Sequence, residues 1–225
     1  MPYGLRAVDN LMDPGPTGTP EPLDIGQLST PDSQVCKRAY EHIQNQLPPE
    51  IVNHCCRVYA FGMAILKQQD FEVDPETFYL AAMFHDIAAS PKNRRASKLS
   101  FEFYGGILAR DWLLDLGVNQ DQVDSVVEAI FRHTLFVGAK IHACGQLLQL
   151  ATTIDVLGSH QNLVHPDTID NVVKAYPRLQ WNVYFSDAMK DEIACKPGCL
   201  TTIGGEPFIS NIRDNKLMQK YDTKL

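Results

Sequence analysis

No stretch of this chain approaches the roughly 20 consecutive apolar residues that a membrane-spanning helix needs. A membrane partner is therefore not expected. The opening residues, Met1-PYGLRAVDNLMDPGPTG, hold no apolar run of the kind that a secretory signal requires. Basic charge is also scarce: the net charge is −7, so no global positive field draws nucleic acid, and no nucleic-acid partner is expected. The six cysteines (36, 55, 56, 144, 195 and 199) do not have the spacing of a disulfide framework. Reduced thiols and a cytoplasmic location are the expectation. Cys195 and Cys199 lack the second pair that a zinc knuckle would need. Convincing period-2 alternation is missing as well, which argues against a sheet, and no internal repeat is visible.

What remains is helical. At 225 residues with 44% hydrophobic content, the chain fits one all-α domain with a sizeable core. Residues 1–30 are rich in Pro and Gly and read as an irregular arm. Residues 31–225 read as the domain. Thr30-Pro31 predicts a helix start, running to about Leu47, and Pro48-Pro49 stops it. The next helix begins near Glu50 and places Ile51, His54, Cys55 and Val58 on one apolar stripe. Asp74-Pro75-Glu76 opens a third helix that delivers His85 and Asp86 near its end. Lys92-Asn93-Arg94-Arg95 reads as a basic loop. Further helices are predicted over about 100–116, from Asn119 to about His133, and over 142–157. Others follow at about 166–176 and 179–196, with a loop-like tail from Pro197.

The stretch that carries chemistry is Phe84-His85-Asp86-Ile87. An imidazole and a carboxylate side by side in an apolar setting are costly to bury unless each finds a partner. A divalent cation suits both, since neutral imidazole nitrogen and carboxylate oxygen are its ordinary ligands. His54 upstream and Asp155 downstream, each within an apolar helical pattern, are candidates for the remaining positions. The alternative is a hydrogen-bonded core histidine with Asp86 closing the helix.

The order His54, His85-Asp86, Asp155 resembles the ligand set of the HD metal-hydrolase superfamily. Further blocks resemble its fungal cyanamide hydratase branch: Asn53-His54 with Arg57-Val58, His85-Asp86-Ile87-Ala88, Lys92-Asn93, Ser100-FEFYGGIL, Arg132-His133, and Gln149 through Asp155. The resemblance implies a single HD-domain helical bundle that hydrates cyanamide to urea, with Zn2+ as cofactor and Fe2+ as the alternative. It also implies a homodimer, with the arm as a segment able to reach a neighbour. One ion held by His54, His85, Asp86 and Asp155 would keep a position open for water, whose pKa zinc lowers from about 16 to near 7. Hydroxide could then add to the nitrile carbon of a small neutral substrate. Asp86 is counted with the catalytic residues. His133 is the candidate proton donor or shuttle and Lys92 the electrostatic support. Without the resemblance, His133 would be a histidine at a helix C-terminus and Lys92 a solvated cation. Phe101, Glu102 and Tyr104 are the expected wall of the substrate pocket.

Four rival readings remain at this level. A phosphohydrolase of a nucleotide or phosphomonoester would recruit Arg57, Lys92, Arg94 and Arg95 around the phosphate. A second metal, as in a di-iron oxygenase, would need His133 and His142. A binding module would keep the metal for structure alone. A hydratase of another nitrile or isonitrile would share the same metal site.

Overall fold

The computed structural model describes residues 2–10, 15, 18–68 and 72–222. Its core is a helical bundle, as the sequence predicts, and no helix among the described residues is long and apolar enough to cross a membrane. Helix α1 spans Gln34–Gln46. It starts later than Thr30-Pro31 suggested, because Ser33 takes the capping position and its hydroxyl accepts from the Cys36 amide. Helix α2 (Pro49–Leu66) has Pro49 in its first turn, so one Pro-Pro pair ends α1 and opens α2. Helix α3 (Pro75–Phe84) is capped by Asp74, whose carboxylate accepts from the Thr77 amide at 2.9 Å.

After α3 the chain turns at His85-Asp86 and enters α4 (Pro91–Ala96). The basic stretch is therefore a short helix, not a loop: Ser90 caps it and Pro91 occupies the first turn. Helices α5 (Phe101–Asp115) and α6 (Gln120–Arg132) pack along each other. Gly106 lies at that contact, where an added Cβ would sit 2.3 Å from the Phe131 ring, so the glycine serves helix packing. Helix α7 (Ala143–Leu157) packs on α2 and ends at Gly158, which adopts φ +71°. Helices α8 (Pro166–Ala175) and α9 (Trp181–Cys195) follow.

Two expectations need correction. The tail is not loop-like: α10 (Thr201–Arg213) and α11 (Lys216–Gln219) complete the bundle. Gly205 at φ +52° and Pro207 interrupt α10, and this density of breakers hid the helix from pattern reading. Its Ile209 and Ile212 are buried nonetheless, so tertiary packing outweighs propensity there. A small sheet also exists, pairing β1 (Ala7–Asp9) antiparallel with β2 (Lys140–His142). Three-residue strands are too short to show alternation in a sequence.

The described part of the arm packs against its own chain. Besides β1, the Tyr3 carbonyl accepts from Ser125 at 2.6 Å, and the Leu23 amide donates to Thr168. Pro14 and Pro16 of the predicted arm lie outside the described residues. With its first strand spent on β2, the arm lends no argument for a reach to a neighbouring subunit.

Candidate metal centre

Four helices converge at the centre of the bundle. Helix α2 brings His54 and, one turn on, Arg57. The end of α3 brings His85 and Asp86. Helix α6 ends on His133, and α7 contributes Asp155 close to its own end. All six side chains are buried, none more than 4% exposed.

The hydrogen bonds fix the histidine protons. His85 Nδ1 lies 2.8 Å from the Ala82 carbonyl, an acceptor, so Nδ1 carries the proton. His54 Nδ1 lies 2.6 Å from Asp155 Oδ2, so it too is the protonated nitrogen. Both Nε2 atoms are then bare lone pairs, and they face each other at 3.1 Å. Two acceptors in that arrangement repel unless a cation sits between them. Asp86 Oδ2 lies 3.5 Å from each Nε2, and among the described residues neither Asp86 oxygen has a hydrogen-bond partner. A buried carboxylate with both oxygens unpartnered is expensive. His54, His85 and Asp86 therefore fit a divalent metal, each offering one ligand atom to a common point.

The electrostatics agree. Burial pushes the His85 imidazolium down to about 3, which leaves it neutral and able to ligate. Burial alone would raise Asp86, but His85, His133 and His54 around it hold its carboxyl well below the usual range. His133 moves the other way: burial opposes its charge, while Asp86 and Glu102 favour it and raise its pKa. Its Nδ1 donates to the Ile130 carbonyl at 2.7 Å, so Nε2, 3.6 Å from Asp86 Oδ1, is the free nitrogen.

Asp155 is placed otherwise than the sequence predicted. Arg57 clamps both its oxygens at 2.9 Å, Arg178 bonds Oδ1, and His54 Nδ1 takes Oδ2. With its oxygens engaged in this way, Asp155 stands behind His54 as the carboxylate that orients a metal-binding imidazole, rather than as a fourth ligand. Burial would raise its pKa, but Arg178 and Arg57 hold it far below the carboxylate range. Arg178 is buried and was not singled out. A buried guanidinium implies a carboxylate partner, but no local pattern shows that it is buried.

Lys92 is a second correction: it is exposed on α4 and lines no part of the cavity beside the cluster. Serine-capped α4 turns Arg94 inward to Asp191 instead, at 2.8 Å. That cavity, about 30 Å3, is lined by His54, His85, Asp86 and His133, with Thr134, Thr152 and Thr153 among its polar walls and Phe136, Phe185 and Phe208 among its apolar ones. The expected wall differs. Phe101 packs edge-on against His133 from behind, Glu102 accepts a hydrogen bond from Thr134, and Tyr104 does not reach the cavity. These three lie on α5, one layer behind α6. Thr134, Phe136, Phe185 and Phe208 were missed, although Thr134 directly follows the Arg132-His133 pair that was noted.

Residues 51–157 match the HD domain family. Two curated proteins from Saccharomyces cerevisiae, Cyanamide hydratase DDI2 and Cyanamide hydratase DDI3, are each 37% identical over 214 residues, covering 93% of this chain and 95% of theirs. The chain belongs to the cyanamide hydratase family of HD-domain proteins. The matched region runs from the helix that carries His54 to the end of the helix that carries Asp155, and it contains the adjacent His85-Asp86 pair.

Proposed function

We infer that this chain is a metal-dependent hydro-lyase that hydrates cyanamide to urea. The observation that carries this reading is the His54–His85–Asp86 cluster, with bare nitrogen and oxygen lone pairs, opening on a small cavity beside His133. A volume of about 30 Å3 suits a molecule of a few heavy atoms. A divalent ion, for which we propose zinc with Fe2+ as the alternative, would be held by His54, His85 and Asp86 and would supply a Lewis acid and a water of lowered pKa.

The chain's own groups supply the rest. Asp155 fixes His54 so that Nε2 faces inward, and the Ala82 carbonyl does the same for His85. His133 presents Nε2 beside Asp86 and is biased toward its charged form, so it can hand a proton to the nitrile nitrogen as the carbon–nitrogen bond order falls. Water contributes its oxygen to the carbon and its proton restores His133. The isourea formed in this way tautomerises to urea. The aromatic walls, Phe136, Phe185 and Phe208, exclude bulk water and strengthen these interactions.

The phosphohydrolase reading loses its cations. Arg57 is committed to Asp155, Arg94 and Arg95 to Asp191, and Lys92 is exposed; none of them lines the cavity. His142, the further histidine that a second metal would need, does not line it either. The buried, free cysteines support a reducing compartment such as the cytoplasm. A homodimer is proposed on the resemblance alone.

The test is urea production from cyanamide by the purified protein, alongside metal analysis and a His85→Ala control. Urea formation with about one metal ion per chain, lost in the control, supports the assignment. Bound metal with no urea would reject cyanamide as the substrate.

A further inference from the structure

Three threonines line the cavity beside the metal ligands, and each has its hydroxyl proton committed elsewhere. Thr152 donates to the Gln149 carbonyl at 2.9 Å, and the Thr153 hydroxyl is engaged by both the Leu150 carbonyl at 2.9 Å and His160 Nδ1 at 2.7 Å. Thr134 donates to Glu102 Oε1 at 2.6 Å. A hydroxyl has one proton and two lone pairs. Once the proton is engaged, the oxygen has only acceptor capacity left for a ligand. Thr152 is set by its own helix, as helical threonines commonly are, and both of Thr153's partners leave its oxygen little to offer a ligand. Thr134 is set by a residue on a different helix, and that residue is unusual.

Glu102 is fully buried, yet among the described residues it makes no ion pair, and Thr134 is the one side chain that donates to it. Its Oε2 has no hydrogen-bond partner among the described residues. A carboxylate kept in such a place is costly, and an apolar residue would pack on α5 without that cost. Besides favouring the charge of His133, the carboxylate fixes the direction of the Thr134 hydroxyl through a short, charge-assisted hydrogen bond, and it is this second role that a change in KM reads.

We propose that Thr134 is a specificity-determining residue that accepts a hydrogen bond from the substrate's amino group, and that Glu102 is the positioning residue that holds Thr134 as an acceptor. The inference rests on the reading of this cavity as the cyanamide site and names what that site selects. The substrate class is a nitrile with at least one N–H on the atom bonded to the nitrile carbon. Cyanamide and its monosubstituted derivatives qualify; disubstituted cyanamides have no proton to give. A hydroxyl free to rotate would accept either kind, whereas one locked by Glu102 discriminates, because an unmet acceptor in a closed cavity loses its hydrogen bond with nothing in exchange.

The experiment compares kcat and KM for cyanamide, methylcyanamide and dimethylcyanamide in the metal-loaded protein and in Thr134→Val, Thr134→Ser, Glu102→Leu, Glu102→Gln and the Glu102→Leu/Thr134→Val double variant. Thr134→Val should raise KM for cyanamide about 10-fold, the loss of one hydrogen bond to a buried group, and narrow the preference over dimethylcyanamide by a similar factor. Thr134→Ser keeps the hydroxyl and should stay within about 3-fold of wild type. Glu102→Leu, which leaves Thr134 in place, should raise KM in the same way, and Glu102→Gln, which retains an acceptor oxygen, should recover most of the loss. The double variant should show no further rise in KM beyond Thr134→Val, because the two residues act as one unit. Wild-type KM in both Thr134→Val and Glu102→Leu, or KM effects that simply add, would overturn the assignment. A wild-type protein that turns over no cyanamide would sink the functional reading and this inference with it.

Discussion

Replacing Asp155 by Asn is the sharpest probe of how the centre is held. In the native chain the Asp155 carboxylate neutralises Arg57 and Arg178, both 0–1% exposed, and orients His54 through its Nδ1 proton. Asparagine keeps the size and removes the charge. Arg178 would retain Asp222 at 3.1 Å, and Arg57 would retain the carbonyls of Tyr176 and Pro177 at 3.1 Å each. Partial compensation leaves the expected loss near the ordinary figure for breaking a buried ion pair, about 3–5 kcal/mol. For a domain of this size each kcal/mol shifts the melting temperature by about 2–4 °C, so the variant should melt about 6–20 °C lower. The measurement is thermal unfolding of metal-free wild-type and variant protein, after chelation, so that any ligand role of Asp155 does not contribute. Metal affinity, measured separately, should fall about 10- to 100-fold, as expected for a residue that orients a ligand. A metal-free variant that melts within about 2 °C of wild type would refute the buried ion network as a source of stability.

Three other outcomes follow from the same geometry. His133→Asn should lower kcat by about 100- to 10,000-fold while metal content stays at the wild-type level, measured by urea release and metal analysis. Lys92→Ala should leave kcat/KM within about 2-fold of wild type, since an exposed cation screened by solvent contributes little at a distance. Burial raises the thiols of Cys36 to about 11 and of Cys56 and Cys144 to about 12, so thiolate is scarce at pH 8 and reactivity should grow only as pH rises through those values. Titration of native protein with a thiol reagent at pH 8 should therefore find Cys195, the one half-exposed cysteine, and all six should react after unfolding.

Much of this molecule was legible in its sequence because the signals are local. Asp74 followed by Pro75, Asn119 ahead of α6 and Gly158 after α7 mark helix ends through bonds made within a turn of the chain. The His85-Asp86 pair stands out because its cost of burial is evident from its immediate neighbours, and His54 lies on a stripe that periodicity alone turns inward. His133 was reached through the family resemblance, since its place at a helix end reads by itself only as a histidine beside the helix dipole. The strand at Ala7–Asp9 and the broken α10 escaped because a three-residue element has no period and because Gly205 and Pro207 contradict the helix that packing imposes.

The partner of each polar group was another matter. Asp155 looked like a ligand because nothing near it in sequence could satisfy it; Arg57 is 98 positions away, and Arg178, 23 positions on, belongs to the segment before another helix. Lys92 looked well placed because it follows the metal pair, yet the turn of α4 sends it to solvent and Arg94 to the interior. The cavity wall draws on the turn after α6 and on α7, α9 and α10, so no single window of sequence contains it. Helix positions and the candidacy of His54, His85 and Asp86 as ligands follow from short-range bonding and from the cost of burying charge. Which lone pairs remain free to act is decided only when distant segments meet, because a hydrogen bond engages whichever donor the fold brings within about 3 Å.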